Sequence, residues 1–192
     1  MDFTLFAAYN RWMNARLYAA AATLPEDELA RDRGAFFGSI LGTLNHVVVA
    51  DTIWLRRFAA APRAHAALAP VQALPDPGRL DALPFPHFPA LAGHRRWLDD
   101  IIDAWVATLG QAELRQLLRY ANTRGEVFER AQGQLLLHFF NHQTHHRGQA
   151  TTLLSQAGVD VGVTDLLALV PDMHDPGVRP PGMRGGSAPA AH

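Results

Sequence analysis

The chemistry of this chain is concentrated in a short run of histidines near its carboxyl-terminal end. Four of its ten histidines lie close together there: His138, His142, His145 and His146. On a helix, residues four apart share one face with Cβ atoms about 5–6 Å apart, so His138, His142 and His146 form a row. Two neutral imidazoles at this spacing can both reach one divalent ion at about 2.0–2.1 Å. His142 and His146 are therefore the first pair of candidate metal ligands.

The residue that follows His142 argues against a peptidase. Zinc proteases with two histidines at this spacing place a Glu after the first histidine and use it as the general base. This chain has Gln143 at that position. The run therefore predicts a metal-binding helix that lacks the protease base.

Residue types alone leave the third ligand open between His46 and His138. His46 shares a face with small or apolar residues of the second long helix, which predicts that it points inward. His138 lies one turn before His142, but three successive ligands on a straight helix diverge from a common point. A lone core histidine is more often hydrogen-bonded than metal-bound, whereas two adjacent buried imidazoles need partners that one ion supplies. Spacing alone thus leaves a metal site and a hydrogen-bonded core both open.

Residues around the histidine run have a functional and a structural interpretation. His145 could carry protons into the pocket or lie at the surface, and Gln149 could orient a histidine or a bound water. Arg147 could form a salt bridge on the helix face, and Gly148 could mark a close helix contact. Three aromatic side chains could wall a pocket or simply fill the core: Tyr9, Trp12 and Trp54.

Composition excludes several classes of function. The formal charge is −1 and the pI is about 6.8, so no basic field calls for nucleic acid or an anionic membrane. No long apolar run or signal-like start is present, and we expect a soluble, cytoplasmic protein. The chain has no cysteine, so any metal must be held by histidine, carboxylate or water, and any thiol must come from outside.

Hydrophobic periodicity predicts four long amphipathic helices, at residues 3–23, 40 to about 60, 89–109 and 131–156. Ser39 is the expected N-cap of the second helix. We predict an all-α fold, a four-helix bundle with a long Pro-rich crossover at residues 61–86. A Gly-containing turn at residues 120–128 predicts a small hairpin before the last long helix, and residues 166–170 predict one more apolar turn. The predicted domain is 1–174, followed by a flexible Gly/Pro-rich tail at 175–192.

Three segments together resemble the DinB family of DNA-damage-inducible proteins, also described as DinB/YfiT-like metalloenzymes. The segments are Tyr9-Asn10-Arg11-Trp12, Leu44-Asn45-His46-Val47-Val48-Val49-Ala50-Asp51 with Trp54, and Asn141-His142-Gln143-Thr144-His145-His146-Arg147-Gly148-Gln149. The resemblance implies a four-helix bundle and a metal triad formed by His46, His142 and His146. Histidine nitrogen suits zinc or nickel best among divalent ions.

The resemblance also implies a class of reaction. Family members of known activity are thiol-dependent transferases and isomerases that use a low-molecular-weight thiol, so we expect a metal-dependent thiol transferase acting on an electrophilic small molecule. Two alternatives stay open. One is a metal-dependent hydrolase with His145 as the local base; the other is a non-catalytic stress-related protein in which the metal is structural.

We also expect a homodimer. The helical wheel places the histidine row on the core face of the last helix, together with Leu135 and Phe139. A second apolar face then remains, formed by Leu136, Phe140, Arg147 and Leu154. Dimerisation is common in the family that the chain resembles, and a second copy would cover this face.

Overall fold

The four long helices begin and end within three residues of the positions that periodicity predicts. The computed structural model describes residues 2–61 and 65–171, and it is mostly helical with one two-stranded sheet. In chain order the elements are α1 (Phe3–Ala21), α2 (Glu26–Ala30), α3 (Ile40–Ala59), a 3-10 turn (Ala66–Leu68), α4 (Ala69–Gln72), α5 (Phe88–Val106), α6 (Gln111–Arg115), β1 (Leu117–Ala121), β2 (Val127–Ala131), α7 (Gln132–Gln156) and a second 3-10 turn (Leu166–Leu169).

The long helices pack on one another around a shared core. Helix α1 contacts α5 and α7, and α3 contacts α7 and α5. Each long helix supplies large side chains that are fully buried, among them Leu17, Leu55, Leu98, Trp105 and Phe139. Burying one such side chain stabilises the fold by about 1.5–3 kcal/mol. The apolar faces, rather than helix propensity, therefore hold these four helices in place.

Side-chain caps define where two of the helices start. Asp2 accepts hydrogen bonds from the backbone N–H groups of Thr4 and Leu5. Ser39 Oγ accepts from the N–H of Gly42 at 2.9 Å, as predicted. Because each cap satisfies a backbone donor that the helix leaves free, it contributes about 1 kcal/mol. The cap at Ser39 fixes the first turn of the helix that carries His46.

The predicted hairpin is confirmed. Strands β1 and β2 pair antiparallel, with Leu118 opposite Arg130, Arg119 opposite Glu129 and Tyr120 opposite Phe128. Asn122 Oδ1 accepts from the N–H groups of Arg124 and Glu126 in the turn, and Gly125 has φ +82°. Side chains alternate between the two faces of a hairpin, so Tyr120 and Arg130 lie on the same face as Leu118. Because Leu118 is buried, this is the inner face of the hairpin.

The crossover is more ordered than its prolines predicted. It contains the 3-10 turn Ala66–Leu68 and the short helix α4. Pro70 lies in the first turn of α4, where its missing N–H costs no hydrogen bond. Leu68 and Val71 are fully buried, and Gln72 Nε2 donates to the carbonyl of Ala59 at 2.7 Å. The segment is thus anchored to the end of α3.

The second apolar face of the last helix is covered inside the chain, so it does not need a second copy to bury it. Leu136, Phe140 and Leu154 are buried. The rings of Phe3 and Phe6 from α1 stack on Phe140 with centroids 6.3 and 5.8 Å away. Helix α1, not a second copy, covers this face. The homodimer itself stays a prediction.

The chain divides into two units after Val161. The described part of the second unit, residues 162–171, contains the 3-10 turn predicted at 166–170. The predicted tail at 175–192 lies outside the described residues. Among residues 2–61 and 65–171, no helix is both long and apolar enough to cross a membrane.

Candidate metal centre

Three histidines from α3 and α7 meet where these helices pack. One nitrogen each from His46, His142 and His146 lies within 4.8 Å of the others. The Nε2 atoms of His46 and His146 are 3.2 Å apart. The ring centroid of His142 lies 5.2 Å from that of His46 and 4.3 Å from that of His146. The group could hold one metal ion.

His46 is the most buried member of this group, with 3 % of its surface exposed. Its Nδ1 lies 2.8 Å from the carbonyl oxygen of Leu80 in the crossover. A carbonyl can only accept, so Nδ1 carries the hydrogen and Nε2 carries a lone pair. Phe37 stacks on the ring at 3.8 Å with an interplanar angle of 16°. Backbone and ring together fix both the tautomer and the direction of this imidazole.

His146 is oriented in the same way by a neighbour on its own helix. Its Nδ1 lies 2.7 Å from Gln149 Oε1, and the amide nitrogen of Gln149 lies 3.4 Å from Nε2 of His145. With the amide in this orientation, His146 Nδ1 donates and its Nε2 is left with a lone pair. Gln149 therefore lies where it can orient a ligand.

The geometry fits a cation better than it fits two histidines alone. When Nδ1 donates in both rings, the Nε2 atoms of His46 and His146 face each other with lone pairs at 3.2 Å, an arrangement that repels unless a cation lies between them. Atoms at this separation can both lie about 2.1 Å from one ion. Hydrogen bonds from the far ring nitrogen to a carbonyl or amide are the support that metal-bound histidines require. The donor set therefore fits a divalent metal.

Burial keeps the three imidazoles in the form that binds a metal. Burial, followed by the charges of His146 and His46, lowers the pKa of His142 to about 3. Burial also lowers the pKa of His46 to about 4, against the opposing effect of the Leu80 hydrogen bond. The pKa of His146 is lowered by burial as well. All three rings are thus neutral at pH 7, with lone pairs available to a metal.

The remaining predicted pocket residues occupy different surroundings. His138 is exposed, and its ring lies 6.0 Å from His142 and 5.0 Å from Trp54. His145 is exposed beside His146, at 4.8 Å. Tyr9 packs on Trp12 and under the guanidinium of Arg147, and Arg16 lies over Trp12. Of the three aromatic candidates, only Trp54 is tied to the histidine row by these contacts.

The buried face of α7 is wider than expected: Leu135 and Phe139 are buried as predicted, and the burial extends to the next residue position. His142 and His146 are only partly buried, whereas Gln143 and Arg147 have 0 and 3 % of their surface exposed. Arg147 forms no surface salt bridge; it donates to Asn10 Oδ1 inside the protein. A Cβ on Gly148 would meet nothing within 4 Å, so the suggested close helix contact is absent at that position.

A buried polar network, which the sequence reasoning missed, occupies the centre of the helices. Asp51 accepts from Arg95 at 2.5 Å and from Gln143 at 2.8 Å. Arg95 also contacts Asp99, which accepts from Asn14 at 2.9 Å. The available signal was the repetition of polar pairs at i and i+4 on core faces, as in Asn10/Asn14, Arg95/Asp99 and Gln143/Arg147.

Comparisons with known proteins identify the family that the chain matches. A family model described as DinB family matches residues 1–173. The chain is similar to Protein DinB of Bacillus subtilis (strain 168), with 26% identity over 162 residues, which is 82% of this chain and 87% of that protein. No solved structure gives a significant match.

Proposed function

The chain belongs to the DinB family, and from this premise we propose that its four long helices form a DinB/YfiT-like four-helix bundle that binds one divalent metal on His46, His142 and His146. The observation that carries the proposal is the meeting of one nitrogen from each of these three imidazoles within 4.8 Å, two of them 3.2 Å apart. Zinc or nickel suits three neutral imidazoles best. Because the described residues supply three ligands to this group, the ion would keep a position open for a small molecule.

The reaction proposed for this site is transfer of an external low-molecular-weight thiol to an electrophilic small molecule. The metal, when bound, would supply a lower pKa for a thiol that reaches the open position. The S–H bond of the thiol breaks, and its proton passes to solvent by way of the exposed His145. The sulfur electron pair forms a bond to the electrophilic carbon, and the pair of the bond that breaks there leaves with the leaving group.

The side chains around the triad support a reaction of this kind. Phe37 covers one face of His46 and lies edge-on to His146 at 5.6 Å, so it shields the ligands from water on that side. His142 and His146 stay partly exposed, which leaves a path for a small molecule. The chain contains no cysteine, so a reacting thiol has to come from outside.

The first test concerns the ligands. Metal content is measured by elemental analysis in the wild type and in His142→Ala, with His138→Ala and His145→Ala as matched controls on the same helix. We expect about one ion per chain in the wild type and in both controls, and its loss in His142→Ala. Equal metal content in His142→Ala and the wild type contradicts the triad.

The second test concerns the thiol. Several cellular thiols are titrated into metal-loaded and metal-stripped protein by calorimetry, in two buffers of different ionisation enthalpy. We expect metal-dependent binding with release of a proton, because a coordinated thiol is deprotonated. If no thiol prefers the metal-loaded form, the transferase fails. The hydrolase with His145 as base, or a structural metal, then explains the site better.

The homodimer belongs to the same proposal and rests on family membership alone, because α1 already covers the apolar face that first suggested it. Light scattering at micromolar concentration measures the mass directly. A dimeric mass supports the assembly, and a mass of 21.0 kDa rules it out.

A further inference from the structure

A small groove lies beside the metal centre, between α3, α7 and the hairpin. Its volume is about 160 Å³. The residues that line it are Trp54, Tyr120, Arg130, Gln134, Leu135 and His138. His138 lies one helical turn from His142, a rise of about 6 Å, and the ring centroids of the two are 6.0 Å apart. The groove thus begins where the triad ends.

Aromatic rings form the walls of this groove. Trp54 lies 5.2 Å from Tyr120 and 5.0 Å from His138, measured between ring centroids. The contact with Tyr120 is tilted at 56° and the contact with His138 is edge-to-face at 60°, so neither pair of rings is stacked face to face. Such walls suit a flat or apolar portion of a small molecule.

One guanidinium group, that of Arg130, lines this groove, and a second, that of Arg57, lies against two of its rings from outside. The Cζ atom of Arg57 lies 4.7 Å above the Trp54 ring and 5.2 Å from that of Tyr120. Arg130 lies on the inner face of the hairpin, opposite Leu118. Neither arginine forms an ion pair within residues 2–61 and 65–171. Arg57 also donates to the carbonyl of Ala121 at 2.8 Å and lies within the field of Asp76. Arg130 is therefore the guanidinium more available to a bound anion.

The placement of Arg130 differs from that of its neighbour Arg119. Arg119 lies on the outer face of the hairpin, opposite Glu129, where a carboxylate can balance it. Arg130 is on the face that packs toward α7, where apolar residues are the usual choice, and there it lines the groove. The positive charges of Arg130 and Arg57 also act on His138. Burial lowers the pKa of His138, and the two arginines lower it further.

We infer that this groove is an anion-binding subsite, in which Arg130 and Arg57 bind a carboxylate carried by a molecule that reacts at the histidine triad. Guanidinium groups are the preferred partners of carboxylates because their N–H groups match the two oxygens. Trp54 and Tyr120 would contact the carbon framework next to that carboxylate. The inference rests on the proposed function for its reacting end, but the subsite itself needs neither metal nor thiol.

The spacing limits the size of the ligand. His138 and Gln134, which line the groove, lie one and two turns of α7 before His142, at rises of about 6 and 12 Å. A molecule that spans both sites therefore carries its carboxylate on the order of 6–12 Å from the reacting atom. This length fits a small organic acid or a short thiol-bearing peptide.

The first experiment tests the subsite apart from the chemistry. Benzoate and its neutral analogue benzamide are titrated into metal-stripped protein, and the indole N–H signal of Trp54, assigned with Trp54→Phe, is followed by NMR. We expect benzoate to bind at least about tenfold more tightly than benzamide and to weaken with added salt. Arg130→Gln should weaken benzoate about three- to tenfold, as should Arg57→Gln.

Arg119→Gln is the matched control, because it removes the same charge from the outer face of the same hairpin. We expect it to bind benzoate like the wild type. Equal binding of benzoate and benzamide overturns the subsite, and so does an equal loss in Arg119→Gln and Arg130→Gln. If Arg57→Gln fails to fold, the exposed Arg130 decides the question alone.

A second experiment identifies which reactant carries the carboxylate. Benzoate is displaced from metal-loaded protein with 6-mercaptohexanoate or the neutral 6-mercaptohexanol, and with 6-iodohexanoate or the neutral 6-iodohexanamide in separate samples read before alkylation proceeds. These probes are long enough to span both sites. Displacement by the acidic thiol alone assigns the carboxylate to the thiol, and displacement by 6-iodohexanoate alone assigns it to the electrophile. Displacement by neither acid overturns the link to the triad. If benzoate binds as expected but no thiol reacts, the transferase proposal is wrong and the anion-binding subsite is still supported.

Discussion

Gln143 donates from its amide nitrogen to Asp51 Oδ2 at 2.8 Å in the interior of the protein. One turn later, the buried Arg147 donates to Asn10 of α1. These bonds fix the rotation of α7, and residues adjacent to Gln143 and Arg147 on a helix point about 100° away. His142 and His146 are thereby turned toward α3. The position that holds the base in zinc proteases points into the core here, away from the triad.

Loss of the Asp51 charge should destabilise the whole fold. Asp51→Asn leaves Arg95 with one buried carboxylate fewer, and breaking a buried charge pair costs about 3–5 kcal/mol. Urea unfolding of the metal-stripped protein measures this loss. Asp100→Asn is the control, because Asp100 pairs with Arg11 at the surface and such a pair is worth less than about 1 kcal/mol. Equal losses in the two variants would show that the buried pair contributes no more to the free energy of unfolding than the surface pair.

Gln149 should control the affinity of the site without touching the ion. In Gln149→Leu, His146 Nδ1 loses the acceptor now 2.7 Å away, and we expect zinc affinity to fall about 10–100-fold. Gln149→Glu keeps an oxygen at that position and should bind zinc as tightly as the wild type or more so. Competition with a chromophoric chelator gives both constants. Wild-type affinity in Gln149→Leu would refute the orienting role.

Gly42 should be essential for the stacking of Phe37 on His46. It lies one turn before His46, and a Cβ there would come 2.1 Å from the carbonyl oxygen of Phe37. Gly42→Ala must therefore displace the backbone that carries the stacked Phe37 ring. We expect a loss of about 1–3 kcal/mol in unfolding free energy together with weaker zinc binding, measured by urea unfolding and chelator competition.

Gly148→Ala is the matched control for that variant. A Cβ at Gly148 would meet open space, and alanine is better than glycine inside a helix by about 0.5–1 kcal/mol. This variant should therefore be slightly stabilised. A Gly42→Ala protein as stable as Gly148→Ala would show that the Phe37 segment moves away at no cost.

His94 should make the apoprotein less stable in acid. Its ring is half-buried between Phe85 and Trp97, at 4.5 and 5.1 Å. Burial, followed by the charge of Arg95, lowers the pKa of His94 to about 4. Between pH 6.5 and 4 the unfolded chain therefore binds a proton that the folded protein does not, so stability falls as the pH falls.

His94→Gln removes this titration. Urea unfolding of metal-stripped protein at pH 7.5, 5.5 and 4.5 should show a shallower loss of stability toward acid in the variant than in the wild type. The contributions of the other histidines cancel in the difference. Parallel curves would show that His94 titrates alike in both states.

The sequence could predict the helices, the hairpin and the histidine group, because each has a local signature or a family motif. It could not predict how far the buried face of α7 extends, because Leu135/Leu136 and Phe139/Phe140 supply two adjoining apolar stripes, and both are buried. Burial of Gln143 and Arg147 depends on Asp51 and Asn10, polar partners on other helices that accept their hydrogen bonds. Such pairings are set by tertiary packing, which no periodicity within one helix encodes.

Leu80 reaches His46 with its backbone carbonyl, while its side chain is 43% exposed. Orientation of a metal-site histidine therefore depends on the path of the crossover and not on the identity of the residue at position 80. The backbone position of this segment therefore matters more for His46 than the side chain at position 80. The side chain at position 80 can therefore change without removing the hydrogen bond that orients His46.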